Sequence, residues 1–350
     1  MALQATDIND LVKATLENVL PLKFTDISSE LRRYVAMNKL MKKGKVEFDS
    51  GVNFNWDLLT GDNGSATFKG LYAQDVVNPT DGLVRGTVPW RHVGWNWAIE
   101  RREIAMNRSP RQIVRMVELR RIQAFISAVK LFEVKFWRAP ASTDTLNPYG
   151  VPYWVVKNNT EGFYGQVPSG YTTVGGLTPS SYPVSDGYKW ANYTAQYNTV
   201  SKTNLIRLMR RAAEYTDWET PVAMPTPGEE NPCGIYTNWS VLSTVVELLE
   251  AQNDDLGNDV ASMDGKAKFM QSMIEAVPQL DEDTTNPVYG LNFGQFKCCG
   301  LRGEWLNESK QPQVAGQHTV AANFVDCSLN FFTYNRRRHY VIATGTTMPS

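Results

Sequence analysis

The sequence is poor in the side chains from which metal centres and disulfide frameworks are built. Its 350 residues contain four cysteines and three histidines. The cysteines show no CxxC spacing, and two of them, Cys298 and Cys299, are adjacent, which is a poor geometry for pairing with each other. The histidines form no HExxH motif and no cluster with metal-ligand spacing. We therefore expect buried, reduced thiols in a cytosolic protein, with no metal site and no cofactor.

Several other signals are also missing. The chain has no P-loop, no glycine-rich dinucleotide-binding motif and no nucleophile elbow. No run approaches ~18 apolar residues, and the start lacks the basic and apolar regions of a signal peptide, so we expect no membrane span. Lys plus Arg number 35 against 36 for Asp plus Glu, so the net charge does not attract nucleic acid or an anionic membrane.

The clearest element that is present is a long helix over residues 109–137. Ser109 suits the N-cap position, and Pro110 suits the first helical position because its missing N–H would have no partner there. Apolar residues then recur at helical spacing from Ile113 to Phe132 and form one stripe that faces a core. From Ile122 onward the opposite side fills as well, which predicts that the second half is covered on more than one side.

Before this helix, the pattern predicts an arm and a long two-stranded excursion. Residues 7–20 predict a short amphipathic helix, which needs a surface on a neighbour or on its own domain because isolated helices of this length are marginal in water. Residues 45–99 begin with a strand at Val46, pass through turn signals and return as an alternating strand from Val93 to Ile99. Two strands alone are not stable, so we expect this excursion to lie across another domain or another subunit, with a wet tip.

After the long helix, the pattern predicts mixed helices and strands. Residues 138–200 indicate irregular, short-stranded structure that is rich in aromatic residues. The sequence then predicts helices at 201–218 and 239–252, strands at 268–280 and 291–306, and a final strand pair at 318–332 and 338–344 with its turn at Asn335. Because no βαβ repeat occurs, we expect an α+β fold and not a doubly wound sheet.

Two charged clusters were weighed as candidate sites. The triplet Asp281, Glu282 and Asp283 could hold a divalent ion or work as an acid/base pair, but a solvated turn before Asn286 is the favoured interpretation. The run Arg336, Arg337 and Arg338 could clamp a phosphate. In a chain of near-neutral charge, ion pairs between subunits are the favoured role for these arginines. We therefore expect no catalytic residue.

The order of elements resembles the major capsid proteins of tailed bacteriophages, which have the Hong Kong ninety-seven-like fold. The order is a helix-bearing arm, a long two-stranded loop, a long capped helix, an α+β middle and final strands. Four short segments also resemble segments that recur in one branch of phage capsid sequences: DGYKWANY at 186–193, YTNW at 236–239, QNDDLG at 252–257 and QHTV at 317–320. The likeness spans nearly the whole chain, although no phrase is a catalytic-grade motif.

The resemblance implies a division of the chain into the parts of a capsid subunit. Residues 1–44 would be the N-arm, 45–95 the extended E-loop and 96–145 the peripheral domain with the spine helix. Residues 146–300 would contain the axial domain with peripheral insertions, and 301–350 would return to the peripheral-domain sheet. In that family the E-loop lies over the spine region of a neighbour. The contact residues implied between subunits are Arg111, Arg115, Arg120 and Arg121 on the helix, Asp49, Asp57 and Asp62 in the E-loop, and the arginine run at 336–338.

The resemblance also implies partners and a location. The chain would assemble with itself into pentamers and hexamers of an icosahedral shell around double-stranded DNA, which it would touch weakly and non-specifically. A separate scaffolding protein is expected because the chain begins directly at the arm, and a portal protein and a decoration protein are further partners. The location would be the virion capsid, after assembly in the host bacterial cytoplasm. Some members of the family carry a cross-linking lysine in the E-loop. Lys69 lies in this region, but its position alone does not indicate a cross-link.

Three alternatives stay open at this point. An encapsulin-like compartment protein would share the fold and enclose enzymes instead of a genome. A tail or baseplate protein would belong to another structural class, in which more β-rich repeats are expected. A metal-dependent hydrolase would use Asp281 or Asp283, and it would lose activity on substitution of that residue by Asn.

Overall fold

The computed structural model describes residues 34–41, 45–61, 66, 68, 71, 82–106, 110–218, 232–253, 267–270, 272–311 and 319–347. Within these ranges, the side chains of residues 105, 110–115, 250–253 and 309–311 are not described. The predicted helix at 7–20 and the N-cap Ser109 lie outside the described residues. Among the described helices, none combines the length and the apolar character that crossing a bilayer requires.

The described elements mix helices and strands in the α+β manner that the sequence predicts. The helices are α1 (Val35–Leu40), α2 (Arg101–Met106), α3 (Pro110–Phe136), α4 (Val151–Trp154), α5 (Arg207–Tyr215) and α6 (Trp239–Asn253), with a π-helical turn at Lys202–Ile206 and 3₁₀ turns at Pro179–Ser181, Pro278–Leu280 and Arg336–Arg338. The strands before α3 are β1 (Val46–Asp49), β2 (Asn53–Leu59), β3 (Leu83–Pro89) and β4 (Arg91–Glu100). Those after it are β5 (Gly162–Gly165), β6 (Pro183–Val184), β7 (Gly187–Tyr188), β8 (Asn192–Gln196), β9 (Cys233–Thr237), β10 (Lys268–Phe269), β11 (Ser272–Ala276), β12 (Val288–Asn292), β13 (Phe296–Leu301), β14 (Asn307–Gln311), β15 (Val320–Thr333) and β16 (Tyr340–Ala343).

The long helix is confirmed as α3, which spans 27 residues and is therefore ~40 Å long. Of the predicted core-facing stripe, Val117, Ala128 and Phe132 are each at most 4% exposed, whereas Leu131 is 44% exposed. The end of the helix is covered on more than one side, because Phe136 and the following Trp137 are both fully buried. In mid-helix, Ile122 and Ile126 are only half-buried.

One sheet is built around β15, the longest strand. Its order is β1-β13-β15-β14. The fifth strand, β4, also pairs with β15, over ten residues. The helix α3 packs against this sheet through β4, where the ring of Trp95 meets Phe125 and Phe132 edge-on at 5.6 and 6.1 Å. The predicted strands at Val46 and at 93–99 are both confirmed. They do not pair with each other, so the two-stranded excursion is β2 with β3 alone.

A second sheet contains nine strands in the order β10-β11-β9-β12-β16-β8-β5-β7-β6. On one face α5 and α6 cover it, and Leu205, Met209 and Val245 pack with Ile235 and Ile274 in a core of their own. The helices predicted at 201–218 and 239–252 are confirmed, although the first begins with the π-helical turn. Residues 268–280 form two short strands and a 3₁₀ turn instead of one strand.

The prediction of a final strand pair is wrong in its pairing. The strands β15 and β16 exist close to the predicted bounds, and Asn335 forms the turn by accepting a hydrogen bond from the Arg337 amide at 3.0 Å. They belong to different sheets, because β16 pairs with β12 and β8 in the nine-stranded sheet. The turn therefore carries the chain from one sheet into the other and closes no hairpin.

The short helix α1, near the start of the described chain, contacts both α3 and the nine-stranded sheet. The Glu133 carboxylate of α3, which is 1% exposed, accepts hydrogen bonds from the amides of Ala36 and Met37 at 3.1 and 2.9 Å. Burial raises the pKa of Glu133 above its usual value. On the other side of α1, Lys39 donates to the Tyr236 hydroxyl at 2.6 Å and lies 3.7 Å from Glu275 of β11. The root of the N-terminal segment is thus fixed to both α3 and the nine-stranded sheet.

Candidate functional site

The antiparallel ribbon of β2 and β3 is anchored to the rest of the chain by its root. Side chains alternate along β2, so that Phe54 and Trp56 are 6% exposed while their neighbours face solvent. Phe54 lies 4.4 Å and Trp56 5.3 Å from the ring of Phe332 on β15. Gly86 of β3 lies opposite Trp56, and a Cβ atom at that position would be 2.5 Å from the indole ring. The root is therefore part of the core of its own chain.

The far end of the ribbon exposes apolar side chains instead. Leu59 and Leu83 are paired across the two strands, yet they are 79% and 57% exposed. Further along, Phe68 and Leu71 are almost fully exposed. Just after β2, the backbone at Thr60 is fixed to the rest of the chain, because the Lys189 ammonium donates to the Thr60 carbonyl at 2.6 Å. Sequence reasoning expected a wet tip and missed these side chains, although Leu59 stands out as an apolar residue on the otherwise polar face of β2.

The acidic residues expected to reach a neighbour are placed in three ways. Asp57 forms an ion pair with Arg85 across the ribbon at 3.0 Å, and both side chains are about half exposed or more. Asp49 ends β1, at the edge of the five-stranded sheet, and accepts from the Ser50 amide at 2.8 Å. Asp62 lies outside the described residues. Asp57 and Asp49 are therefore already engaged within the chain, although both stay accessible.

The arginines of α3 are also engaged within the chain where their side chains are described. Arg120 donates to the Ala98 carbonyl and to the Glu103 carboxylate, both at 2.8 Å. The hydrogen bond to Glu103 lowers the pKa of that carboxyl group. Arg121 forms an ion pair with Glu308 of β14 at 3.1 Å. The side chains of Arg111 and Arg115 are outside the described set. Arg120 and Arg121 thus tie the helix to the five-stranded sheet.

Beside these arginines, α3 carries a second apolar stripe that we call the outer stripe: Leu119, Ile122 and Ile126. Their spacing of three and four residues places them on one side of the helix. Leu119 is 43% exposed and the two isoleucines are half-buried. The described chain leaves this stripe partly exposed, so some apolar surface stays available on the helix.

The arginine run after Asn335 separates into one buried and two surface side chains. Arg336 is fully buried and donates to the carbonyls of Trp154, Trp190 and Gly165, each at 2.8 Å. Burial lowers its pKa to about 9. The inter-subunit role expected for Arg336 is therefore wrong, because a side chain with no exposed surface inside its own subunit is not accessible to a neighbour.

The other two arginines of the run form ion pairs at the surface of the chain. Arg337 lies 2.9 Å from Asp186 and 3.8 Å from the centre of the Phe163 ring. Arg338 lies 2.5 Å from Asp217. Both arginine side chains keep about 30% of their surface exposed. A contact of Arg337 or Arg338 with a neighbouring subunit thus stays a prediction.

Comparison with known proteins rests on structure, because no family model and no curated protein matches the sequence. A solved cyanophage A-1(L) capsid subunit is similar over 94% of this chain and 98% of that one, with 14% identity and a TM-score of 0.59. A capsid subunit of a native GTA particle is similar over 93% and 95%, with 11% identity and a TM-score of 0.58. Mycobacterium phage Adephagia matches over 96% and 97%, with 8% identity and a TM-score of 0.50. The chain has the fold of tailed-phage major capsid proteins.

In this fold, the three carboxylates of the acidic triplet at 281–283 contact three different partners. Asp281 accepts the amide of Trp239 at 2.9 Å and so caps the start of α6. Glu282 forms an ion pair with Arg138 at the end of α3. Asp283 is buried and forms an ion pair with Lys157, whose pKa is lowered by burial. Three carboxylates that each serve a different contact do not form a shared acid/base pair.

The thiols of the chain fit the structural role expected of them. All four cysteines are buried, and none of them forms a disulfide. Burial raises the pKa of Cys299 to about 12 and that of Cys327 to about 11, which keeps both in the unreactive thiol form. Among the described residues, no three His, Cys, Asp or Glu side chains converge as a metal-binding group. The features available for function are therefore surfaces: the far end of the ribbon and the outer stripe of α3.

Proposed function

We propose that the chain is a structural shell subunit, the major capsid protein of a tailed phage, and not an enzyme. It assembles with itself into pentamers and hexamers of an icosahedral shell that encloses double-stranded DNA. The observation that carries the proposal is the capsid fold itself, which extends over more than nine tenths of both chains in each comparison. Exposed leucines on an otherwise well-packed ribbon support it, because apolar surface of this kind marks contact with another protein.

The two sheets support a division of the subunit into domains. The five-stranded sheet with α3 is the peripheral domain, and the nine-stranded sheet with α5 and α6 is the axial domain. Residues 1–44 form the N-arm, and the ribbon with its connection is the E-loop within 45–95. The return of the chain to the peripheral domain after residue 301 ends with β15, since β16 lies in the nine-stranded sheet.

Neighbouring subunits contact each other through the ribbon and the spine helix. The far end of one ribbon, with Leu59 and Leu83, lies on the outer stripe of the next subunit's α3. Fully burying one leucine contributes about 1.5–3 kcal/mol, so the apolar contact dominates. Ion pairs of Arg111 and Arg115 with Asp62 at the rim add little individually and more as a network. Each contact is weak, and a closed shell repeats it many times.

The remaining partners follow from the proposed role. A scaffolding protein directs assembly in the host bacterial cytoplasm, a portal protein occupies one vertex, and a decoration protein binds the outside of the virion capsid. The formal net charge of −1 fits a shell that touches its DNA weakly and releases it. These partners belong to the proposal as a whole and have no residues assigned to them.

The proposal is tested by negative-stain electron microscopy of the purified full chain, expressed with and without the gene that precedes it. Closed shells, or five- and six-membered rings, are the expected result, and dependence on the preceding gene would identify a scaffold. A monodisperse monomer in both preparations at high concentration would refute the proposal. Particles that contain protein cargo and no nuclease-protected DNA would assign the chain to an encapsulin-like compartment instead.

A further inference from the structure

An apolar groove opens at one edge of the nine-stranded sheet, away from the ribbon and from α3. It has a volume of about 250 Å³ and lies between the π-helical turn, the second half of α6 and the edge strand β10. Its apolar lining consists of Ile206, Val245, Leu248, Leu249, Phe269 and Ile274. Met270, which follows β10, also lines it and is 45% exposed. Val245, Phe269 and Ile274 form the floor of the groove and are at most 8% exposed, so Met270 is the most exposed apolar side chain of its lining.

The rim of this groove carries positive charge. Lys202, Arg210 and Lys268 complete the lining, and the described lining residues include no carboxylate. A surface of this composition suits an amphipathic segment that has an apolar face and acidic flanks. Helix-in-groove binding places apolar side chains at spacings of three and four residues along such a floor.

Residues 7–20 have the composition that the groove requires. Ile8, Leu11, Val12, Leu16 and Val19 recur at helical spacing, which predicts one apolar face. The same stretch contains three carboxylates and one lysine, for a formal charge of −2. It is therefore complementary to the groove both in apolar pattern and in charge.

Two other stretches of the chain are acidic but lack the pattern. Residues 219–231 contain prolines at 221, 225 and 227, which oppose a helix. Residues 254–266 contain Gly257 and Gly265 and only scattered apolar residues. Among these three stretches, only 7–20 predicts an amphipathic helix.

The position of α1 indicates which copy supplies the segment. Through Lys39, α1 rests on the face of the nine-stranded sheet that presents Tyr236 and Glu275. Ile274, next to Glu275 on β11, points to the opposite face and lines the groove. The root of the N-terminal segment and the groove are thus on opposite faces of one sheet. A segment that leaves α1 would have to pass around the sheet edge to reach its own groove, which favours the groove of a second copy.

We propose that residues 7–20 of one copy dock as an amphipathic helix in this groove of a second copy. The inference deepens the assembly proposed above and rests on it. The groove supplies the surface that a short, isolated helix needs, and the three rim cations orient the acidic segment. Each subunit then gives one arm and receives one, which is the head-to-tail arrangement that generates rings.

Disulfide trapping between two single variants tests the proposal. One preparation of the full chain carries Val12→Cys and the other carries Met270→Cys, and the two are mixed under assembly conditions and oxidised. A covalent dimer on a non-reducing gel is expected, and peptide mass spectrometry should find residue 12 joined to residue 270. As a matched control, Glu247→Cys places the thiol on an exposed position of α6 outside the groove lining, and it should give at least tenfold less dimer.

A double variant, Val12→Cys with Met270→Cys in one chain, separates the two possible sources of the segment. A cross-linked monomer in place of a dimer would overturn the proposal, because the arm would occupy its own groove. Absence of any specific cross-link would overturn it as well. Electron microscopy of the same samples keeps the two proposals apart: shells without the cross-link reject only the arm contact, whereas no shells and no rings reject the assembly itself.

Charge reversal provides a second, independent measurement. Arg210→Glu should lower the yield of the trapped dimer several-fold, because the acidic segment then meets a carboxylate at the rim. Arg207→Glu is the matched control, since Arg207 begins the same helix, is exposed and is not part of the groove lining. An equal loss of dimer in both variants would overturn the assigned role of the rim.

Discussion

The two ends of the β2–β3 ribbon have the same strand pairing and opposite surroundings. At the root, Trp56 lies opposite Gly86 and is buried against Phe332 of the same chain. Three residue pairs further along, Leu59 lies opposite Leu83 and both face solvent. The comparison teaches that one regular ladder can be buried core at one end and exposed apolar surface at the other. Substitutions at the root should therefore change folding, and substitutions at the far end should change association.

The largest effect is expected at the root from Trp56→Ala. Removing a buried indole should lower the free energy of unfolding by about 3–5 kcal/mol, because the side chain is lost and a cavity is left behind. Urea unfolding of the unassembled subunit, followed by circular dichroism, measures this. Val52→Ala serves as the control at a 90% exposed position. A loss below about 1 kcal/mol for Trp56→Ala would show that the root does not depend on the core.

The next effect is expected from Gly86→Ala. The added methyl group would lie 2.5 Å from the Trp56 indole, and that ring is confined by Phe332 and Trp154. Overpacking of this kind costs about 1–3 kcal/mol, which the same unfolding experiment detects. Gly61→Ala is the matched control on the same ribbon, since its Cβ would meet nothing closer than 3.9 Å. Equal stability of the two variants would contradict the close approach.

At the far end, Leu59→Ser should weaken association and leave folding intact. The stability of the isolated subunit should stay within about 0.5 kcal/mol of the parent. Each subunit contact should lose roughly 1.5–2 kcal/mol, because most of this leucine is exposed before assembly. The concentration at which shells or rings first appear, followed by light scattering, should rise. Asn55→Ser, on the same face of β2, is the control, and an unchanged threshold for Leu59→Ser would exclude the leucine from the contact.

The smallest effect is expected from the Asp57–Arg85 ion pair, which lies between root and far end. Both side chains are about half exposed or more, so the pair should contribute less than about 1 kcal/mol to subunit stability and lose even that in high salt. A double-mutant cycle with Asp57→Asn and Arg85→Gln measures the coupling energy. A coupling energy well above 1 kcal/mol would show that the middle of the ribbon behaves like the buried root and not like the exposed far end.

Local patterns predicted the elements better than their partners. The bounds of α3 follow from Pro110 and a helical stripe, and those signals lie within the segment itself. The pairing of β1 with β13 joins Val46 to Cys298, and no pattern near either residue indicates the other. For the same reason the sequence predicted β15 and β16 as one hairpin, whereas the turn between them carries the chain from one sheet to the other.

The candidate surfaces were predicted only in part. The long helix and the excursion before it were expected to meet in an assembly, and both elements exist. The residues expected to make the contact were charged, because charge is visible in a sequence. In the structure Arg120 and Arg121 hold α3 on its sheet, and the apolar residues Leu59 and Leu119 are exposed although no charge marks them in the sequence.

By itself, the sequence determined the near-neutral charge, the α+β class, the long helix and the resemblance to capsid proteins, because composition, periodicity and element order are local or additive properties. Only the tertiary structure decided that Arg336 is buried and donates to three backbone carbonyls, while Arg337 and Arg338 stay at the surface. Only the fold decided which half of the ribbon is core. Burial depends on which distant segments come together, and two neighbouring residues of the same type can have opposite surroundings.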